Sequence, residues 1–214
     1  MNYGILPTPA AIILAAGFSS RLGLPKALAR VRSLSLLRRT LRLVANLAPA
    51  QIVVVVPCRA ARYRIEARGF KVTFAVNPRR ADGLSSSVRR GLAKVRYSPA
   101  VLLLPVDMAV LRQADLARLI RRWRTARRCV IASQVSGHGG TQRGGVPLVL
   151  PRWLYPRAQA VAGDVGLREM IAALPPRQRV LMHLASATLD VDTPQDLRAA
   201  RRRGRSTGSK APAP

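Results

Sequence analysis

The 214-residue chain is poor in acids, cysteines and aromatics, and it has no long apolar run. Cys58 and Cys129 are the only cysteines and have no CxxC spacing, which excludes a disulfide framework and a cysteine-based metal knuckle and fits a reduced, cytoplasmic setting. Aromatics make up 4% of residues, too few for the stacking platforms of a single-strand binder. No stretch approaches the ~18 apolar residues of a membrane span. The first ten residues lack a charged n-region and a cleavage-like site, so no signal peptide is expected. His138 and His183 are solitary and carry no metal-ligand spacing, and His183 reads as a packed strand residue.

Acids are the sharpest shortage. Nine carboxylates face 37 Lys and Arg, for a net charge of +28. Lys26, Lys71, Lys94 and Lys210 are the four lysines, which leaves 33 of the 37 cations as Arg. Such a charge can serve nucleic-acid binding. It can also reflect a compositional drift that turns surface positions into Arg. The arginines run through every predicted helix instead of gathering on one face or arm, so the second explanation is preferred and a nucleic-acid partner is not expected. The few acids kept against that drift become candidates for work: Glu66, Asp82, Asp107, Asp115, Asp164, Glu169, Asp190, Asp192 and Asp196.

An apolar content of 49% suffices for one core, and the length fits one α/β domain, read over 1–203, with a Gly/Ser/Pro-containing basic tail at 204–214 expected to be disordered. Near-continuous Val/Ile/Leu runs predict strands at Ala11–Ala15, Gln51–Val56, Lys71–Val76, Ala100–Val106 and Cys129–Val135, with short ones at Arg179–Leu184 and Thr188–Val191. Helical spacing predicts helices over Leu34–Leu47, Ser85–Val95, Gln113–Arg124, Gly163–Leu174 and Pro194–Arg202, with Trp123 in the core and the serines of the second helix placed as caps. Gly137–Gly145 reads as a Gly-rich loop. Buried strands alternating with helices imply an α/β fold with a mostly parallel sheet covered on both faces. Ligands of such sheets bind at the carboxyl ends of the strands, so the loops after Ala15, Val76 and Val106 are expected to line one crevice.

The first of those loops holds the densest chemistry. A buried strand runs into Ala15-Ala16-Gly17-Phe18-Ser19-Ser20-Arg21-Leu22-Gly23-Leu24-Pro25-Lys26. Glycines allow close backbone approach, and one Arg and one Lys meet negative charge, which are the materials of a triphosphate cradle. The spacing is neither GxxxxGK[ST] nor GxGxxG. Asp107 ends the most hydrophobic strand and suits Mg²⁺, which takes one or two carboxylates plus phosphate oxygens; a helix cap is the plainer role. Asp190 and Asp192 alternate about Val191, so both point to one side as candidate second ligands; Asp192 can also cap the helix at Pro194, and the two roles are compatible. Gly83, Ser85, Ser86 and Ser87 open a helix where hydroxyls can read a base or ribose.

The run Leu14-Ala15-Ala16-Gly17-Phe18-Ser19-Ser20-Arg21-Leu22-Gly23-Leu24-Pro25-Lys26-Ala27-Leu28 resembles the nucleotidyltransferase signature LAAGxSxRxGxPKxL at every fixed position. Asn77 followed by Gly83-Leu84-Ser85-Ser86-Ser87-Val88-Arg89-Arg90-Gly91-Leu92, then Leu103-Leu104-Pro105-Val106-Asp107, Gly163-Asp164-Val165-Gly166-Leu167-Arg168 and Asp190-Val191-Asp192-Thr193-Pro194, resemble motifs of the molybdenum cofactor cytidylyltransferase branch of the MobA-like NTP transferases. The resemblance implies a three-layer, Rossmann-like, doubly wound fold of the nucleotide-diphospho-sugar transferase type. It implies transfer of CMP from CTP to molybdopterin-bound cofactor with release of pyrophosphate, Mg²⁺ as cofactor, and a molybdenum enzyme of the xanthine dehydrogenase type as recipient. By the same resemblance Arg21 and Lys26 hold the triphosphate, Asp107 with Asp192 or Asp190 binds the metal, and Leu14, Ala15, Ala16 and Gly17 face the nucleotide. Ser87 matches a serine near cytosine, and Ala16 and Pro25 favour CTP over GTP. Arg143, Gly144, Pro147, Asp164 and Arg168 fall where the acceptor binds. The sequence departs from the branch at Ala109, at Val146 and over Ala29–Ser33. A related enzyme using GTP or another acceptor, and a non-catalytic basic binding protein or cofactor chaperone, are the competing readings.

Overall fold

The computed structural model describes residues 8–19, 21–136, 142–163, 166–187 and 190–206. Strand β1 (Ala10–Leu14) is buried at every position. Two short strands, β2 (Arg30–Val31) and β3 (Leu34–Ser35), form a separate ribbon. Helix α1 (Leu36–Ala45), strand β4 (Ile52–Val56), helix α2 (Ala61–Glu66), strand β5 (Thr73–Val76), helix α3 (Leu84–Leu92) and strand β6 (Ala100–Pro105) follow. The rest is helix α4 (Gln113–Thr125), strands β7 (Val130–Ser136) and β8 (Gln142–Pro151), helices α5 (Tyr155–Ala160) and α6 (Gly166–Ala172), strand β9 (Arg179–Met182) and helix α7 (Pro194–Ser206).

Seven strands form one sheet in the order β5-β4-β1-β6-β8-β7-β9. All are parallel except β8, which runs against both β6 and β7. Alternation along each strand feeds two cores. Ala11 and Ile13 join Val54, Leu104, Leu37, Leu41, Leu116 and Trp123 on one face. Ala10, Ile12 and Leu14 join Val53, Leu103, Val88, Leu92 and Ile171 on the other. Burial on both faces is why these strands read as unbroken apolar runs.

The chain moves from β1 outward through β4 to β5, then returns to the opposite side of β1 as β6. The carboxyl ends of β1 and β6 therefore flank the switch point, where doubly wound sheets hold ligands. Several expectations need correction. Gln142–Pro151 is a long strand, so Arg143, Gly144 and Gly145 belong to the sheet and only 137–141 of the expected Gly-rich loop, with His138, lie outside the described residues. The glycines are there for packing: a Cβ on Gly144 would meet Ile171 Cγ2 at 2.8 Å. Val191 is not in a strand; Asp190 makes only an isolated antiparallel bridge to Met108, and residues 188–189 are not described. His183 lies beyond β9 and is exposed. Helix α7 continues to Ser206, and the remainder of the expected tail, 207–214, is outside the described residues.

Candidate functional site

Leu14 and Ala15 still belong to the sheet: Val106 N donates to Leu14 O at 3.1 Å and Ala15 N to Val55 O at 2.9 Å. Both side chains and that of Ala16 are buried. From Gly17 the loop turns outward, and it is closed by its own serine. Ser19 Oγ accepts the Lys26 backbone N–H at 2.7 Å, and Ser19 O accepts Leu22 N–H at 3.1 Å. Leu22 anchors the loop in the core. Arg21 thus stays exposed while Lys26 is set at the start of a short 3-10 turn, Lys26–Leu28.

Lys26 is the centre of the site. Its ammonium donates to Asp107 Oδ2 at 3.1 Å and also to Asp192 Oδ1. Burial works to lower its pKa, but the hydrogen bonds and charges of Asp192 and Asp107 outweigh that, and the net direction is upward. Lys26 is therefore cationic throughout the physiological range. Asp107 leaves the end of β6, and its segment is tied to the other acids: Val191 N donates to Asp107 O at 3.0 Å, beside the Met108–Asp190 bridge. From below, Arg39 of α1 donates to Ala109 O at 3.1 Å.

Asp192 is not the cap of α7. Thr193 is, with its Oγ1 accepting Asp196 N–H at 3.2 Å, while Asp196 Oδ2 accepts the N–H groups of Thr193 at 2.8 Å and Asp192 at 3.1 Å. This reciprocal cap fixes the backbone of Asp192 and leaves its carboxylate to face Lys26. Crowding by the protein, then the charges of Asp107 and Asp192, push the Asp190 carboxyl up to about 6, while Lys26 and Arg168 pull the other way. The residue still exposes surface, which weakens the crowding cause and leaves the neighbouring acids as the firmer one.

Phe18, Ser19, Arg21, Lys26 and Asp192 line one cavity of about 230 Å³. The hard oxygens of Asp107 and Asp192 converge on a single ammonium, a donor set suited to a divalent cation of the Mg²⁺ type that completes its shell with phosphate oxygens and water. Among the described residues no group of three or more His, Cys, Asp or Glu could hold a metal without such help.

The serines of α3 do not cap it. Gly83, at φ 80°, is the N-cap, and Ser85, Ser86 and Ser87 are buried within the first turns. Gly144 and Pro147 are buried in β8, whereas Arg143 is exposed and Arg168 lies near enough to act on Asp190. Asp164 is outside the described residues. Sequence reasoning missed Arg80, whose guanidinium stacks 4.2 Å from the centroid of Phe18 and so joins the loop before α3 to the loop after β1. It also missed the structural work of Ser19 and Asp196. The S/T-x-x-acid spacing of Thr193 and Asp196 was the available signal for the latter.

Residues 11–180 match the family model of the MobA-like NTP transferase domain. The phosphoenolpyruvate guanylyltransferase of Conexibacter woesei is 36% identical over 129 residues, 56% of this chain and 52% of that protein. The bifunctional IPC transferase and DIPP synthase of Rubrobacter xylanophilus is 38% identical over 117 residues, 52% of this chain and 26% of that protein. The matches thus span about half of one curated relative and about a quarter of the other. Rv0371c of Mycobacterium tuberculosis H37Rv superposes with a TM-score of 0.76 over 92% of this chain and 100% of that one at 22% identity, and it has also been crystallised as a complex with manganese.

Proposed function

The chain belongs to the MobA-like NTP transferase family, and from that premise we propose that it is a Mg²⁺-dependent cytidylyltransferase that moves CMP from CTP onto a molybdopterin-type cofactor. The observation that carries the reading is Lys26, set by the phosphate loop between the carboxylates of Asp107 and Asp192 at the switch point of the sheet. A phosphate of the acceptor attacks the α-phosphorus, the bond from that phosphorus to the bridging oxygen breaks, and pyrophosphate leaves. The chain forms no covalent intermediate; it positions and neutralises.

Lys26, held cationic, and Arg21, exposed at the rim of the same cavity, meet the triphosphate. Asp107 and Asp192 would hold the Mg²⁺, with Asp190 beside them; when bound, the ion supplies charge neutralisation at phosphate oxygens. The manganese complex of Rv0371c supports a divalent ion on this fold. Backbone groups of Ala16 and Gly17, with the start of α3 at Gly83 and Ser85–Ser87, take the nucleoside. Leu14 and Ala15 contribute mainly by fixing the start of the loop. Arg143 and Arg168 are the acceptor-side candidates with exposed side chains. A molybdenum enzyme of the xanthine dehydrogenase type would receive the product.

A second reading keeps the site and changes the substrates to GTP and another acceptor. The Conexibacter relative, a guanylyltransferase named for phosphoenolpyruvate, favours it. Ala16 and Pro25 favour CTP. Thermal stabilisation in the presence of Mg²⁺ across CTP, GTP, ATP and UTP separates the two: a shift specific to CTP is expected, and one specific to GTP overturns the cytidylyl assignment.

A further inference from the structure

Asn77 follows β5 and is buried, with 1% of its surface exposed. Its amide orientation is set by the backbone. The Arg79 N–H, which can only donate, reaches Asn77 Oδ1 at 3.0 Å, so the amide nitrogen must face the other way. Nδ2 then donates to Ser86 Oγ at 2.8 Å and to Ser87 Oγ at 2.9 Å. Both serines are thereby acceptors towards Asn77.

Their own protons differ. Ser86 Oγ donates to Gly83 O at 2.8 Å, and that carbonyl also accepts Ser86 N–H at 3.2 Å, so both its lone pairs are engaged. Ser87 has no such outlet; its bond from Asn77 is the only one its hydroxyl makes among the described residues. The packing of α3 places that hydroxyl. Gly91 presses on the sheet so closely that a Cβ there would meet Ile12 Cγ2 at 2.6 Å and Val55 Cγ2 at 3.2 Å. Ser87 is one turn earlier on the same face, towards the carboxyl ends of β1 and β4, where Ala16 and Gly17 leave the sheet.

We propose that Asn77 is a positioning residue that holds the Ser87 hydroxyl as a hydrogen-bond donor to an acceptor atom of the nucleobase. Cytosine offers two such acceptors on one edge, its ring nitrogen N3 and its O2 carbonyl. The inference rests on the cytidylyl reading and deepens it: through the direction of one Ser87 proton, Asn77 contributes to recognition of the base.

Asn77→Asp keeps the shape and inverts the polarity. A carboxylate can only accept, so Ser87 turns its proton to residue 77 and away from the base. The probes are CTP and inorganic tripolyphosphate, each with Mg²⁺ and measured by calorimetry without any acceptor. Asn77→Asp should weaken CTP about tenfold, the scale of one buried hydrogen bond lost to an unsatisfied group, and leave tripolyphosphate binding unchanged. Ser87→Ala should weaken CTP similarly, and the double variant should be no weaker than Ser87→Ala alone. Equal loss of both ligands, unchanged CTP binding, or additive losses in the double variant would each overturn the proposal. If Asn77→Asp fails to fold, Asn77→Ala is carried through the same cycle with the same outcomes. Wild-type protein that shows no preference for CTP would instead remove the cytidylyl reading, so the two failures are distinguishable.

Discussion

At the scale of single residues, the site depends on carboxylates held against a strong background of arginine. Asp107 and Asp192 share the Lys26 ammonium; the Asp107 carbonyl accepts Val191 N–H, and Asp192 N–H donates to the Asp196 carboxylate. Asp107→Asn keeps the shape and removes the charge. It is expected to lower turnover on the order of a hundredfold, the size of one lost electrostatic contact in a preorganised site, with an unchanged melting temperature; full activity in the folded variant would remove Asp107 from the chemistry. Asp115 shows the structural use of an acid. It is buried at the start of α4, accepts Ser186 Oγ–H at 2.6 Å and Ser186 N–H at 3.2 Å, and pairs with Arg118 at 3.2 Å. Burial alone would raise its carboxyl, but the bonds from Ser186 and Arg118 outweigh that and hold it below its ordinary value. A depressed folded pKa gives stability that is present above the unfolded value, about 4, and is lost as pH falls through the folded one. Melting curves of wild type and Asp115→Asn should therefore differ at pH 7 and converge in acid, as the pH falls below the ordinary carboxylate range and through the depressed folded value; a gap that persists in strong acid would contradict this origin.

Elements were legible in proportion to their burial. Strands β1, β4 and β6 are unbroken apolar runs because both faces of the sheet are covered, and α1 and α4 bury one stripe each. Strand β8 was not legible. Gly144 and Gly145 suggest a turn, yet they are small because Ile171 and Val135 press on them, and the pairing with β7 shifts register between Ala132 and Ser133. Helices α2 and α5 are six residues long, too short for a period to show. The candidate site was legible because the loop after β1, the end of β6 and the start of α7 are local motifs. The Asn77–Ser87 contact spans ten residues of sequence and two elements, and no spacing rule announces it. Gly91 gives a direct test of how closely α3 rides on the sheet. Helix propensity alone would make Gly91→Ala stabilising by about 1 kcal/mol. The 2.6 Å approach to Ile12 should reverse the sign and cost about 1–3 kcal/mol, as overpacked cores do. A rise in melting temperature would show that α3 can move away.

For the whole molecule, topology makes the function economical. Because the chain runs outward from β1 through β4 to β5 and then returns beside β1 as β6, the loop after β1 and the carboxylate that ends β6 meet at the switch point. The charge of +28 adds attraction for any polyphosphate substrate, and salt should weaken encounter more than chemistry. The most direct measurement of substrate identity is pyrophosphate release by the full chain with Mg²⁺ and molybdopterin-bound cofactor, comparing CTP with GTP. Release from CTP is expected to require the cofactor and to exceed release from GTP. Equal or faster release from GTP, or release indifferent to the cofactor, would contradict the cytidylyl reading.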